Sequence, residues 1–539
     1  MSNFFNFFKQ IPRPLFWAAF SGILVGTSYI PFPGWALFFC YIPLWLCLLQ
    51  LLKDHTSLKK IFFTGWITQF ILTLIGFNWI YYVSAEFGHL PWTLSLATLL
   101  LFASAMHIYI PLSLTFACWI IRRRNISNIS VQVLLFALSQ SLFERIWPSI
   151  FEWNLGYALL WMRLPLFQWA DTVGFWGLST WVLLIQAGLC ITLLFWKAKK
   201  QSQALKIFFT LLILVLSLTA FGVVKENKWS ATTDSVQFAV VQGNIGNAEK
   251  VLSEKKDQFQ AYIFQLYADL TEQHLKKNPQ TEIVLWPETA MPFALDVDFH
   301  QRYLQNTLLK KVSAWNVTLL TGGYSQSVTR RDHLGYPLTR NSVFFIGPQL
   351  KLQAEPYHKT ALLVFGEYMP FGEEFPFLYQ LLPFVGVYER GPGPHPERLQ
   401  LAIEKSITVG PQICYESLDS SFARGLAEKG ADLIFNVTND SWFGWWAEPY
   451  QNNIMSLARA IEVRRPLVRS TNTGISSVIL ANGKILENSP IAQTWAHTYE
   501  IKYLKQAPQT FYTRWGHWDW VIWTLVFIFL LIKGKYVRD

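Results

Sequence analysis

Between residues 226 and 516 the sequence has one cysteine, Cys414, in the stretch PQICYES. The other four, Cys40, Cys47, Cys118 and Cys190, lie in long apolar segments. An internal disulfide is therefore excluded from the polar part of the chain. Its histidines, His274, His300, His333, His358, His395 and His497, form no H-E-x-x-H or similar spacing, so no metal site is expected. A G-x-S-x-G elbow and a Walker A loop are also missing, and no motif calls for a cofactor. The formal charge is +10, yet there is no RNA-recognition signature or zinc-finger spacing. Lys and Arg cluster beside apolar segments instead, which argues against a nucleic-acid partner and for a membrane topology signal.

What is present is apolar. The 539 residues are 52% hydrophobic and 17% aromatic, high for a soluble protein. Seven apolar segments fill the first 225 residues, near 14–30, 34–52, 61–83, 91–121, 131–150, 172–196 and 206–224, and an eighth lies near 518–533. About 20 apolar residues cross a bilayer core as a helix. The first two segments, joined through YIPFPGW, read as a tight hairpin, and the first lacks a small-x-small cleavage site, so no cleaved signal is expected. Lys9 and Arg13 precede segment one; Lys53, Lys59 and Lys60, then Arg122–Arg124, then Lys197, Lys199 and Lys200 follow segments two, four and six. Lys533, Lys535 and Arg538 follow segment eight. Loops 30–35 and 84–91 have no Lys or Arg, and 149–171 has only Arg163. Every second loop is basic. The positive-inside rule then puts both termini in the cytoplasm and residues 226–516 outside.

That outer region has ordinary polar composition. VQFAVVQGN, TEIVLWPE, SVFFIGP, SITVGPQICYE, ADLIFNVTND and ISSVIL read as buried or half-buried strands. Helices alternate with some of them. In 254–277 the expected apolar face is Phe259, Tyr262, Ile263, Leu266 and Leu270; in SLDSSFARGLAEKGA it is Leu418, Phe422 and Leu426, capped at Gly430. Such alternation predicts one α/β domain over 226–516, between a helical membrane bundle (1–225) and a last span with its tail (517–539). The apolar, Pro/Gly-punctuated stretch 375–396 predicts an exposed mobile loop.

Cys414 closes a strand and precedes a helix, so a position near a helix N-terminus, favouring a thiolate, is expected. The plain alternative is a small buried hydrophobe. A thiol nucleophile needs a base and a partner for the oxyanion it creates. Glu288 ends the strand TEIVLWPE, and burial beside Trp286 would make it a useful base; alone it would read as a surface charge. Lys359, between YH and TALLVF, must snorkel or find a carboxylate; alone it too would be ordinary. Their order, carboxylate, Lys and Cys, each at a strand end of one α/β domain, sets them apart.

LWPETAMP, YHKTALLVFGEYMPFG and QICYES resemble the three catalytic segments of the nitrilase (carbon-nitrogen hydrolase) superfamily. With the bundle in front, the chain resembles the superfamily's membrane-bound branch, the apolipoprotein N-acyltransferases, along nearly its whole length. VVQGNI, GGYS, NDSWFG, RRPLVRSTNTGIS and YTRWGHW carry the likeness in the outer region. FEWNLGYALLW, PLFQWADTVGFWGLS and the Glu144-Arg145 pair carry it in the bundle. The departures are Gly246 and Val251 after QGNI, where the family usually has Pro and then Trp, Val364 in place of Pro, and Asn452 in place of His.

The resemblance implies eight transmembrane helices with an αββα sandwich on the periplasmic side of the bacterial inner membrane. It implies a ping-pong acyl transfer. Cys414 would take an acyl chain from a membrane phospholipid, phosphatidylethanolamine, and pass it to the free α-amino group of a diacylated apolipoprotein. Glu288 would be the base and Lys359 the oxyanion partner. Glu367 would balance Lys359, and Glu416, next to Tyr415, would orient the network. The chain would act as a monomer. Two other readings stay open: a membrane-tethered amidase that passes its thioester to water, and an inactive paralogue serving as a lipoprotein-binding scaffold. The 375–390 loop and the cluster Trp442, Phe443, Trp445 and Trp446 could contact lipid or pack in a core. Glu144, Arg145, Glu152, Arg163 and Asp171, near the outer span ends, are expected to snorkel or pair.

Overall fold

The computed structural model describes residues 13–253, 257–296, 303–331, 335–382 and 385–534; the Val251 side chain, Lys9, His300, His333, Lys535 and Arg538 fall outside this description. The chain divides into two units, Met1–Glu226 with Trp515–Asp539, and Asn227–Arg514.

The first unit is helical. Among the described residues, five helical runs are long and apolar enough to cross a membrane: Leu58–Gly76, Trp92–Arg124, Ile129–Ile146, Pro165–Lys197 and Gln201–Lys228. Arg13–Gly26 and Ile42–Lys53 are shorter apolar helices, and Asp519–Lys533 closes the unit. The expected single segment 91–121 is two helices, Trp92–Ala105 and Tyr109–Arg124, with a turn between them. Segment 61–83 likewise splits into Leu58–Gly76 and Trp79–Glu86. A uniformly apolar run carries no mark of where a helix breaks, so periodicity missed both.

Helix Gln201–Lys228 exposes Phe209, Ile213, Leu214, Leu216, Phe221 and Val224 and buries only Ala204 and Gly222. A helix apolar all round with so much of it uncovered is stable only where something as apolar as lipid covers it. Arg145, Lys225 and Glu144 each find a polar partner inside the unit. Arg145 bonds Asp519 in a two-pronged contact of 3.0 and 2.5 Å, and Lys225 meets Asp171 at 2.6 Å. Glu144 accepts from Ser179 (2.9 Å) and Tyr109 (3.2 Å).

The second unit is built on two sheets. The first contains β1 (Asp234–Gln242), β2 (Ile283–Leu285), β3 (Met291–Ala294), β4 (Thr318–Arg331), β5 (Pro337–Gly347), β6 (Lys351–Leu352) and β7 (Tyr357–His358). The second contains β8 (Glu397–Ala402), β9 (Lys405–Ile413), β10 (Leu433–Thr438), β11 (Leu467–Thr471) and β12 (Ser477–Ile479). β13 (Trp495–Tyr503) returns to the first, whose main order is β13-β1-β2-β4-β5-β6; the second runs β12-β11-β10-β9-β8. The central neighbours are parallel (β1 with β2, β2 with β4, β9 with β10, β10 with β11) and the edges antiparallel. Parallel strands covered on both faces read as continuous apolar runs, as every residue of β10 is buried.

The sheets face each other, with Phe345 of β5 edge-on to Phe435 of β10 and Ser470 of β11 bonded to the Val241 carbonyl of β1. Helices Asp257–Lys277 and Tyr303–Trp315 cover the first sheet; Ser420–Glu428 and Glu448–Val463 lie against the second. The Asp257–Lys277 helix buries Ile263, Phe264, Tyr267 and Ala268, while Tyr262 is 53% exposed. Its buried face is thus rotated from the expected one, because Tyr267 and Phe264 stack into the core around Trp286. In Ser420–Glu428, Phe422 and Leu426 are buried as predicted, Asp419 caps the start, and Gly430 takes the left-handed conformation (φ +91°) after the end.

Candidate active site

The C-terminal ends of the parallel-paired β2 and β9 and of the antiparallel-paired β7 meet in one place. Glu288 follows β2 through Pro287, Lys359 follows β7, and Cys414 follows β9. Lys359 is 2% exposed and Glu288 6% exposed, so charge there must be paired or very costly. The Lys359 ammonium donates to Glu367 Oε1 at 2.8 Å and to Glu288 Oε1 at 3.3 Å. Glu288 also accepts from Asn341 Nδ2 (2.7 Å) and, on its other oxygen, from the Asn439 N–H (3.0 Å). Glu367 accepts from the Leu363 N–H (2.9 Å) and from Asn341 (3.2 Å). Burial opposes the Lys359 charge, but Glu288, Glu367 and the thiol outweigh it and hold its pKa well above the usual lysine value.

Cys414 is half-buried and is the first residue of a short 3-10 turn, Cys414–Ser417, with φ +50°. A non-glycine residue in the left-handed region is a strained position of the kind that clusters at functional sites. The expected α-helix N-terminus is not there: that helix starts at Ser420 and has its own cap, Asp419. The expected thiolate is corrected with it. Burial and then the Glu288 carboxylate push the Cys414 thiol up, against Lys359 and a hydrogen bond with Thr438. Two carboxylates already face one ammonium, and a thiolate would add a third negative charge. The Cys414 thiol is thus held toward its neutral form, and a neutral thiol attacks a carbonyl only with a base to take its proton.

Glu416 clamps two of the three segments together. It accepts from the N–H groups of Ile413 (2.8 Å), Thr360 (2.5 Å) and Ala361 (3.2 Å) and from the Tyr357 hydroxyl (2.9 Å). The turn carrying Cys414 is thereby tied to the loop carrying Lys359. Burial raises the Glu416 pKa to about 7, against those donors. Tyr415 is half-buried on the same turn.

Some expectations are revised. Trp286 does not shield Glu288: it packs on Tyr267 and Trp315 and donates to Thr271, on the helix side of the sheet. What holds Glu288 is polar, and Asn341, which bridges both carboxylates, had no sequence signal. Nor had the buried charge behind Cys414. Arg469 donates to Asp440 (2.9 Å), Asn436 (2.5 Å) and Ser456 (2.9 Å). Asn436 and Ser417, the latter bonded to Ser456, both donate to the Cys414 carbonyl, at 3.4 and 2.9 Å. The clue was present only as polar residues in otherwise apolar strands, Asn436 in LIFNVT and Arg469 in LVRST. Asn452 joins this network by donating to Asp440 (3.4 Å) and accepting from Ser456 (3.3 Å), while a side chain at Gly246 would meet Glu249 at 2.4 Å.

The aromatic segments are exposed rather than core. Phe375 and Phe377 are more than half exposed, Leu381 is 67% exposed and Trp445 72% exposed. No group of His, Cys, Asp and Glu able to hold a metal occurs among the described residues. A hydrogen-bonded carboxylate, a buried ammonium and a strained thiol can together form and break an acyl–sulfur bond.

Residues 21–188 match the family model described as apolipoprotein N-acyltransferase N-terminal domain, and residues 237–501 the model for carbon-nitrogen hydrolase. The chain is 46% identical to an apolipoprotein N-acyltransferase of Bdellovibrio bacteriovorus, over 99% of this chain and 96% of the relative. It is 30% identical to that of Azotobacter vinelandii, over 92% and 90% of the two chains. With that of Geobacter metallireducens the identity is 28%, over 96% and 94%.

Proposed function

The chain belongs to the apolipoprotein N-acyltransferase family, and from that premise we propose how its residues perform the reaction. The enzyme moves a fatty acyl chain from a membrane phospholipid to the α-amino group of the N-terminal diacylglyceryl-cysteine of apolipoproteins. Glu288 takes the proton of Cys414 as sulfur attacks the acyl ester carbonyl. The tetrahedral oxyanion forms beside the Lys359 ammonium. Collapse breaks the ester C–O bond, the leaving alkoxide takes the proton from Glu288, and lysophospholipid departs from a Cys414 thioester. The apolipoprotein amine then attacks the thioester and Glu288 takes its proton. The second oxyanion collapses with Cys414 as leaving group, and the proton returns to sulfur.

The observation that carries these assignments is the convergence of the buried Glu288 and Lys359 and the partly buried Glu367 around Cys414. Glu367, closer to Lys359 than Glu288 is, balances its charge, and Glu416 fixes the loop that presents it. The protein is placed in the bacterial inner membrane with eight spans, both termini cytoplasmic and residues 226–516 periplasmic; alternation of basic and Lys/Arg-free loops supports this. Phosphatidylethanolamine is the donor, the monomer is the working unit, and the exposed Phe375, Phe377 and Leu381 form a lipid-contacting arm.

Purified protein given phospholipid and a diacylated peptide with a free N-terminal amine should yield triacylated peptide and lysophospholipid. Release of free fatty acid or ammonia alone, with no triacylated peptide, would instead mean hydrolysis.

A further inference from the structure

A cavity of about 490 Å³ adjoins the loop that carries Glu367. Leu362, Tyr368 and Met369 line it, on either side of Glu367 in sequence, and so does Arg390. The residue after Arg390, Gly391, donates its N–H to the Lys359 carbonyl at 2.8 Å. The cavity wall is therefore continuous with two of the proposed catalytic segments.

Its charge is unusual for an apolar-walled cavity. Three guanidiniums, Arg330, Arg331 and Arg390, line it against two carboxylates, Glu373 and Glu374. Arg330 is taken up by Glu373 at 2.9 Å. Arg331 donates to the Gly335 carbonyl at 3.0 Å, and Arg390 lies over the Tyr368 ring at 4.6 Å. Neither has a carboxylate within ion-pair distance among the described residues. The Tyr368 ring beneath it positions the Arg390 guanidinium and leaves its N–H donors to a ligand, and a guanidinium fork matches phosphate oxygens in pairs. The apolar part of the wall includes Leu338, Leu362, Met369 and Phe371, with Phe371 71% exposed.

Resting on the acyltransferase reading, we propose that this cavity is the phosphodiester subsite of the acyl donor. Arg331 and Arg390 hold the headgroup phosphate, and Leu338, Leu362, Met369 and Phe371 cover the glycerol and the first acyl carbons. A phospholipid's phosphate and its ester carbonyl are separated only by the glycerol backbone. A phosphate site must then adjoin the nucleophile's loops, as this one does. A cavity with one excess positive charge beside exposed aromatics suits an anionic phosphodiester on an apolar stem.

The test compares two donors on the full-length protein in detergent: phosphatidylethanolamine, and p-nitrophenyl palmitate, an uncharged acyl ester with no phosphate. Acyl-enzyme formation is followed for wild type and for the double variant Arg331→Gln, Arg390→Gln. The variant should acylate at least about tenfold more slowly from the phospholipid, mainly through KM, and be unchanged with the uncharged ester. Equal losses on both donors, or no loss on either, would overturn the subsite. Wild type acylated by the uncharged ester but not by phospholipid would overturn the subsite and leave Cys414 acylation standing. Wild type acylated by neither would overturn the acyltransferase reading and the subsite together.

Discussion

In the helical unit Arg145 meets Asp519 at 2.5 Å, one cation on one anion, and Lys225 meets Asp171 in the same way. In the α/β unit Lys359 faces two carboxylates, Glu288 and Glu367, with a thiol beside them. The first arrangement is closed: each charge has its opposite, and nothing is left to react. The second is unbalanced toward negative charge, held in place by Asn341, Asn439 and the Leu363 N–H. Paired charge fastens helices where water is scarce, whereas unbalanced negative charge holds the neighbouring thiol toward its neutral form, as the proposed mechanism requires.

Changes that remove the imbalance should have the largest effect. Glu288→Gln leaves the shape but removes the base, and should slow acyl-enzyme formation by about 10²–10⁴-fold in single-turnover measurements. Lys359→Met removes the oxyanion partner and should cost about 10²–10³-fold in the same assay. Asp519→Ala attacks the closed pair instead. It should orphan the largely buried Arg145 and lower the thermal midpoint in detergent by several degrees, with the rate per folded molecule within about twofold of wild type. A loss of chemistry as large as that of Glu288→Gln would break the distinction between the two units.

The smallest effect is in the clamp. Burial holds Glu416 at about 7, above the ordinary 4.5. A carboxyl raised on folding stabilises the fold in its protonated form, so its contribution is complete below pH 4.5 and is lost as pH rises through 7. The thermal midpoint of wild type should therefore decline from about pH 5 to about pH 8, and Glu416→Gln should flatten that part of the curve. An unchanged slope in the variant would remove Glu416 as its source.

The two units were also unequally legible in sequence. Glu288 and Cys414 could be picked out because each follows an apolar strand, and Lys359 because it stands before the apolar TALLVF and comes between them in order. Asn341 could not: it lies inside β5, in TRNSVFF, where one amide among polar neighbours breaks no pattern. The left-handed turn at Cys414 was invisible for a different reason. The turn is held by distant partners, Glu416 on the Ile413 N–H and on the Lys359 loop and Asn436 on the Cys414 carbonyl, and the residues alone favour an ordinary strand-to-helix join. In the helical unit the apolar segments were plain, but the breaks after Ala105 and Gly76 were not, since apolar residues on both sides of a turn look like one longer span. Tyr262 misled the helix reading because amphipathic aromatics fit either face, and only packing around Trp286 decides.

The central claim is that Cys414 carries the acyl chain. Mass spectrometry of the Cys414 peptide, after purified protein has been incubated with phospholipid and no acceptor, tests it most directly. The account predicts one added acyl chain on that peptide, absent in Cys414→Ser and discharged when a diacylated peptide with a free amine is added. An unmodified Cys414 peptide in protein that still makes triacylated product would contradict it.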